Sequence, residues 1–140
     1  MPAPTPAVTA STGPAPARGG ETILFADDEE SIRGLARRIL EGRGYRVRLA
    51  VDGDDAVAAF QSDPRGVDLV VLDLTMPGLT GMEVAQRIRS IRPDVRILLS
   101  TGHIGEEARD VERDPTIGML PKPYCPDALV AAVRRALDRP

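Results

Sequence analysis

Tryptophan is absent from the 140 residues, and Phe and Tyr contribute two each, so aromatics make up only 3% of the chain. That argues against base-stacking surfaces of the kind that hold single strands, and it leaves aliphatic side chains to fill any interior. Cysteine occurs once, at Cys125, which excludes an internal disulfide framework and a cluster of Cys ligands for zinc. A reducing, cytoplasmic setting is therefore expected. Positive charge is not in excess: 18 Lys and Arg against 21 Asp and Glu leave a net charge of −3 and an isoelectric point near 5.2. No basic field is offered to nucleic acid, and no apolar run reaches the ~20 residues that cross a bilayer. Neither nucleic acid nor membrane is expected as a partner. What remains, 42% hydrophobic and 28% charged residues, suits one globular domain of ordinary size.

Residues 1–20, MPAPTPAVTASTGPAPARGG, stand apart. This Pro/Ala-rich stretch has too little apolar surface to offset the entropy of ordering, so it reads as a disordered tail or linker. Prolines at positions 2, 4, 6, 14 and 16 interrupt the continuous apolar segment that a signal peptide needs. As a polyproline II tether it would reach on the order of 60 Å. It is either the joint to a preceding part of a longer protein or a free N-terminal tail.

From Glu21 onward strand and helix patterns alternate. TILFA (22–26) is a short apolar run, and Ile32, Leu35, Ala36, Ile39 and Leu40 then form the stripe of an amphipathic helix that Gly42 and Gly44 stop. YRVRLA (45–50) alternates with period two as an edge strand does. Residues 52–61 place Ala56, Val57, Ala59 and Phe60 on a second helix. VDLVVL (67–72) is β-branched and continuously aliphatic, the mark of a strand buried on both faces. A helix over 82–90, a strand over 95–100, a weaker strand over 117–120 and a helix over 126–138 follow. Such alternation implies right-handed crossovers and a parallel sheet with helices on both faces, with ligands binding beyond the carboxyl ends of the strands.

The polar residues of interest fall at those ends: Asp27, Asp28, Glu29 and Glu30 after the first strand, Asp73 after the third, Ser100 and Thr101 after the fourth, Lys122 after the fifth. Acids at the start of a helix have a local reason, since they complement its dipole and cap it, and this covers Glu29, Glu30 and Ser31. It does not cover Asp73, which closes an apolar strand and would stand beside Asp28 if the first and third strands are neighbours. Carboxylates gathered there repel, so they need a cation or a shared proton, and oxygen ligands without His or Cys companions select Mg²⁺ or a similar ion. Lys122 is the one lysine among eighteen basic residues. A compact ammonium is suited to a single anionic oxygen, and a cis Lys122–Pro123 bond would aim it back across the strand ends.

The pieces ILFADDEE, VDLVVLDLTMPGLTG, LLSTG and LPKPY, in this order, resemble the receiver domain of bacterial two-component response regulators over about residues 21–138. The resemblance implies an α/β, flavodoxin-like (βα)5 fold of strand order 2-1-3-4-5, similar to chemotaxis regulators, with residues 21–140 as the domain. It implies Asp73 as phosphoacceptor for a histidine kinase or phosphotransfer protein. Mg²⁺ or Mn²⁺ would be held directly by Asp28 and Asp73, mainly through water by Asp27, and by the backbone carbonyl of Thr75. Thr101 and Lys122 would meet the phosphoryl oxygens. Thr75 and His103 would flank the water that hydrolyses the mark, so the chemistry is self-catalysed phosphotransfer and autodephosphorylation rather than that of a stand-alone enzyme. Pro77, Gly78 and Gly81 would fold the backbone over the metal, Pro by fixing φ and the glycines by positive φ.

Departures from the family pattern are local. Met119 stands where many members carry a switch aromatic, and a thioether repacks without offering a hydroxyl. Residues 105–114 have only Ala108 and Val111 as apolar anchors, which predicts a short, mobile helix there. Cys125 is expected to pack, and Arg33, Arg37, Arg134 and Arg135 to lie on solvated helix faces. The chain stops soon after the last predicted helix, which favours the C-terminal receiver of a hybrid histidine kinase or a single-domain regulator, monomeric or weakly dimeric, acting on a downstream protein target. Two other classes compete with this reading. An aspartate-nucleophile phosphohydrolase wants an acid two residues past the nucleophile, where Thr75 stands, and an unphosphorylated interaction module would not need the full acid, hydroxyl and lysine set. Lys122→Arg keeps the charge but replaces a point contact with a planar fork, so phosphorylation by acetyl phosphate, followed by intact mass, is expected to slow markedly.

Overall fold

The structure is a computed structural model that describes residues 20–74, 76, 78–101, 117–121 and 125–138. The tail, Thr75, Pro77, His103, the helix expected over 105–114 and the Lys122–Pro123 bond lie outside the described residues. Five strands, β1 Thr22–Ala26, β2 Arg46–Ala50, β3 Leu69–Asp73, β4 Arg96–Thr101 and β5 Ile117–Pro121, pair in parallel in the order β2-β1-β3-β4-β5. Among the described residues the helices are α1 Glu30–Glu41, α2 Gly53–Ser62, α3 Gly81–Ile91 and α4 Pro126–Asp138, with a 3₁₀ turn at Pro64–Gly66. None is long and apolar enough to cross a membrane.

Strand alternation sorts the aliphatic residues into two cores. Ile23, Phe25, Leu69, Val71, Leu98 and Leu120 turn to one face and meet Ala36 and Leu40 of α1 and Leu129 and Val133 of α4. Leu24, Val70, Leu72, Ile97 and Leu99 turn to the other and meet Ala56 and Phe60 of α2 and Val84 and Ile88 of α3. β3 is buried throughout, as a strand covered on both faces must be. It starts two residues later than the apolar run predicts. Asp68 is still a turn residue there, its side chain accepting from the amide of Thr22 at 2.8 Å, and pairing opens with Leu69 against Ile23.

Four expectations are corrected. Leu35 is 37% exposed, so α1 buries a narrower stripe, Ala36 and Leu40, with Ile32 and Ile39 packed at its margin. The end of α1 is as expected: Gly42 is its C-cap at φ −63° and Gly44 makes the left-handed turn at φ +92°. Cys125 is exposed, and only its carbonyl is used, accepting from the Leu129 amide at 3.1 Å to open α4. Arg134 does not face solvent. Its side chain is 16% exposed, hydrogen-bonds Asp138 at 2.8 Å and the Tyr45 hydroxyl at 3.2 Å, and lies 3.5 Å from Glu21. A guanidinium has five donors in a planar fork, so one side chain can join three partners. Arg33 is likewise half-buried, donating to the Asp27 carbonyl at 2.8 Å.

Burial pushes the Tyr45 phenol above its ordinary pKa, with Glu21 and Asp138 adding to the rise and Arg134 opposing it. The folded protein thus retains a proton that the unfolded chain releases, so this contribution is whole below about pH 10 and is lost as pH climbs through the raised value. Urea midpoints measured from pH 9 to 11 are expected to fall more steeply for the wild type than for Tyr45→Phe.

Candidate functional site

The ends of β1 and β3 bring the acids together. Ala26 is in register with Leu72 on one side and Ala50 on the other, so Asp27 follows β1 at the level where Asp73 closes β3. Asp27 is fully buried, Asp73 is 3% exposed, and Asp28 is open to solvent. One carboxylate oxygen from each of Asp27, Asp28 and Asp73 falls within 4.8 Å of the others. Like charges at that spacing repel strongly in a partly desolvated corner. The group is open on the Asp28 side, and an all-oxygen set with one exposed member fits a small hard cation that keeps several waters.

Asp27 also has a structural duty. Its Oδ1 accepts from the Glu29 amide at 2.9 Å, and its own amide donates to the Ala50 carbonyl at 3.2 Å. Glu29 is the N-cap residue of α1 yet makes no side-chain cap bond, so the capping expected of Glu29 and its neighbours is supplied in part by Asp27. Thr101 is the last residue of β4, paired with Pro121 at the end of β5, and Lys122 follows directly outside the described residues.

The segment after Asp73 is fixed by close backbone approach. The Leu74 amide donates to the Ser100 carbonyl at 2.7 Å, and the Gly81 amide donates to the Leu74 carbonyl at 2.9 Å. Thr80 caps α3 in a reciprocal box with Glu83, 3.2 Å and 2.9 Å, a Thr-x-x-Glu signal that sequence reasoning passed over. Gly78 has φ +80°, as expected of this loop. Gly81 is needed for another reason than positive φ: a Cβ there would sit 2.8 Å from the Asp73 carbonyl oxygen and 2.8 Å from Leu74 Cα. At Gly53, the first residue of α2, a Cβ would lie 2.7 Å from Leu79 Cβ and 2.8 Å from Val84 Cγ2, so α2 supports the same loop from below. Met119 is partly buried against the α2 and α3 core.

The chain and its parallel five-stranded sheet have counterparts among known proteins. The family described as the response regulator receiver domain matches residues 23–134. The chain belongs to that family, the receiver domains of two-component systems. It is 31% identical over 122 residues to the sensor kinase CckA of Brucella abortus, covering 86% of this chain and 13% of the kinase. It is 39% identical over 124 residues to the response regulator MprA of Mycolicibacterium vanbaalenii, covering 84% of this chain and 50% of the regulator. The chain thus spans half or less of the length of these relatives. The crystal structure of the chemotaxis response regulator CheY4 of Vibrio cholerae superimposes with a TM-score of 0.76 at 30% identity, covering 84% of this chain and 99% of that one.

Gly81→Ala is expected to lower stability by ~1–3 kcal/mol, the usual cost of forcing extra volume into a packed position, read as a shift in urea midpoint. Amide shifts in its NMR spectrum should concentrate at residues 72–74, where the added methyl presses on the backbone behind Asp73.

Proposed function

We propose that this receiver domain takes a phosphoryl group onto Asp73 from a phosphohistidine of a histidine kinase or phosphotransfer protein and signals through a downstream protein target in the cytoplasm. The convergence of Asp27, Asp28 and Asp73 carries the reading, because it puts a buried nucleophilic carboxylate beside two further acids at the open end of the sheet. In the transfer an oxygen of Asp73 forms a bond to phosphorus as the phosphorus–nitrogen bond breaks. The nitrogen keeps the electron pair, and the imidazole, protonated on its other nitrogen, leaves neutral.

Asp27, Asp28, Asp73 and the Thr75 carbonyl are the groups that would hold Mg²⁺ or Mn²⁺, which when bound supplies charge neutralisation between the incoming phosphoryl oxygens and the carboxylates. Asp28 is the exposed member, suited to direct ligation, while Asp27 already spends one oxygen on the Glu29 amide, which fits an outer role through water. Thr101 and Lys122 are assigned to the phosphoryl oxygens, the first by hydroxyl donation and the second as a point charge. Thr75, His103 and Met119 are assigned to tuning the lifetime and the relay of the modified state. The relatives include a sensor kinase and response regulators, and both placements, within a hybrid kinase or in a regulator, use the same chemistry.

Full-length protein with Mg²⁺ and acetyl phosphate is expected to gain one phosphoryl group by intact mass. Asp73→Asn, or addition of a chelator, should reduce the modified fraction to background. Modification that persists in either case would overturn the assignment.

A further inference from the structure

Strand β4 is aliphatic along its buried length, Ile97, Leu98 and Leu99, until Ser100. Ser100 is 1% exposed, and its hydroxyl finds no hydrogen-bond partner among the described residues. Leaving a buried hydroxyl unpaired costs free energy, and an aliphatic residue would continue the strand without that cost.

The position of this hydroxyl gives the cost a use. Ser100 is the register partner of Asp73, as Leu98 is of Val71. Leu98 and Val71 share the α1 and α4 face of the sheet, and two residues further along the same alternation turns Ser100 and Asp73 to that same face. Adjacent strands are ~4.8 Å apart, and the peptide that follows Asp73 is tied to the Ser100 carbonyl at 2.7 Å. A phosphoryl group on Asp73 would add about two negative charges and new acceptor oxygens beside this strand end.

We infer that the Ser100 hydroxyl is held for the phosphorylated state, in which it donates directly to an oxygen of the Asp73 acyl phosphate. This rests on the assignment of Asp73 as phosphoacceptor. Among the described residues the hydroxyl has no acceptor while Asp73 is unmodified, and it gains one on modification, so it favours the modified form by differential bonding between the two states. It adds a donor on the strand next to β3, separate from the hydroxyl of Thr101.

The test uses beryllium fluoride with Mg²⁺ as the phosphoryl mimic, binding followed by NMR titration of the full chain, with urea midpoints for the free protein. Ser100→Ala is expected to leave the free protein as stable as wild type or more stable, yet to weaken beryllofluoride binding about five- to tenfold, the usual worth of one hydrogen bond. Ser100→Thr and Ser100→Val match each other in shape and differ in the hydroxyl. Thr should retain tight binding and Val should lose it. Equal binding by Thr and Val variants, or wild-type binding by the Ala variant, would overturn the inference. So would a loss of stability in the free Ala variant equal to its loss of affinity, since the hydroxyl would then serve both states alike. Failure of wild-type protein to bind the mimic would instead strike the Asp73 assignment itself.

Discussion

Like-charge repulsion between carboxylates is the constraint around which this domain is arranged. Asp27 and Asp73 are almost wholly withdrawn from water and share a corner with Asp28. Separated acids would be solvated and indifferent to one another. Here the aliphatic strands that precede them pull them inward: burying the Ile23–Ala26 and Leu69–Leu72 runs between two helical layers carries the strand-end acids into the same low-dielectric edge. The hydrophobic effect thereby holds together groups that would otherwise move apart. Three carboxylates so placed give that corner a negative field, which favours a cation there.

The loop behind the acids is positioned by absent atoms as much as by present ones. At Gly81 the backbone of Asp73 and Leu74 occupies the space of a Cβ, and at Gly53 Leu79 and Val84 do. Hydrogen bonds from Leu74 to Ser100 and from Gly81 to Leu74 then fix the direction in which the chain leaves β3. Two helices that share no sequence neighbourhood, α2 and α3, thus press on one short segment. At Gly81 the close approach is to the backbone of Asp73 and Leu74 itself, and at Gly53 it is to Leu79 and Val84, which flank that turn.

Much of this was legible in the sequence, for identifiable reasons. The continuous aliphatic run before Asp73 and the alternation through 45–50 marked buried and edge strands, and the alternation of strand and helix patterns implied a parallel sheet. The adjacency of Asp28 and Asp73 was expected only if the first and third strands are neighbours, an order that the family resemblance implied and the sheet bears out. What escaped was whatever depends on partners far along the chain. Arg134 looks like any helix-surface arginine until Tyr45 and Glu21 come to lie against it. Leu35 belongs to the apolar stripe by spacing, yet it is 37% exposed. Gly81 was read as a residue of positive φ, whereas its requirement is steric and visible only when the Asp73 carbonyl is placed beside it. Ser100 looks like a polar strand end by sequence, because nothing local reveals that its hydroxyl is buried.

The Arg134 cluster lies at the far end of the sheet from the acids. It joins Glu21, just ahead of β1, to Tyr45, just ahead of β2, and to the last turns of α4. The polypeptide arriving at β1 is consequently fastened to the final helix before it enters the sheet. One guanidinium thereby staples the start of the first strand to the end of the last helix, joining the two ends of the folded domain.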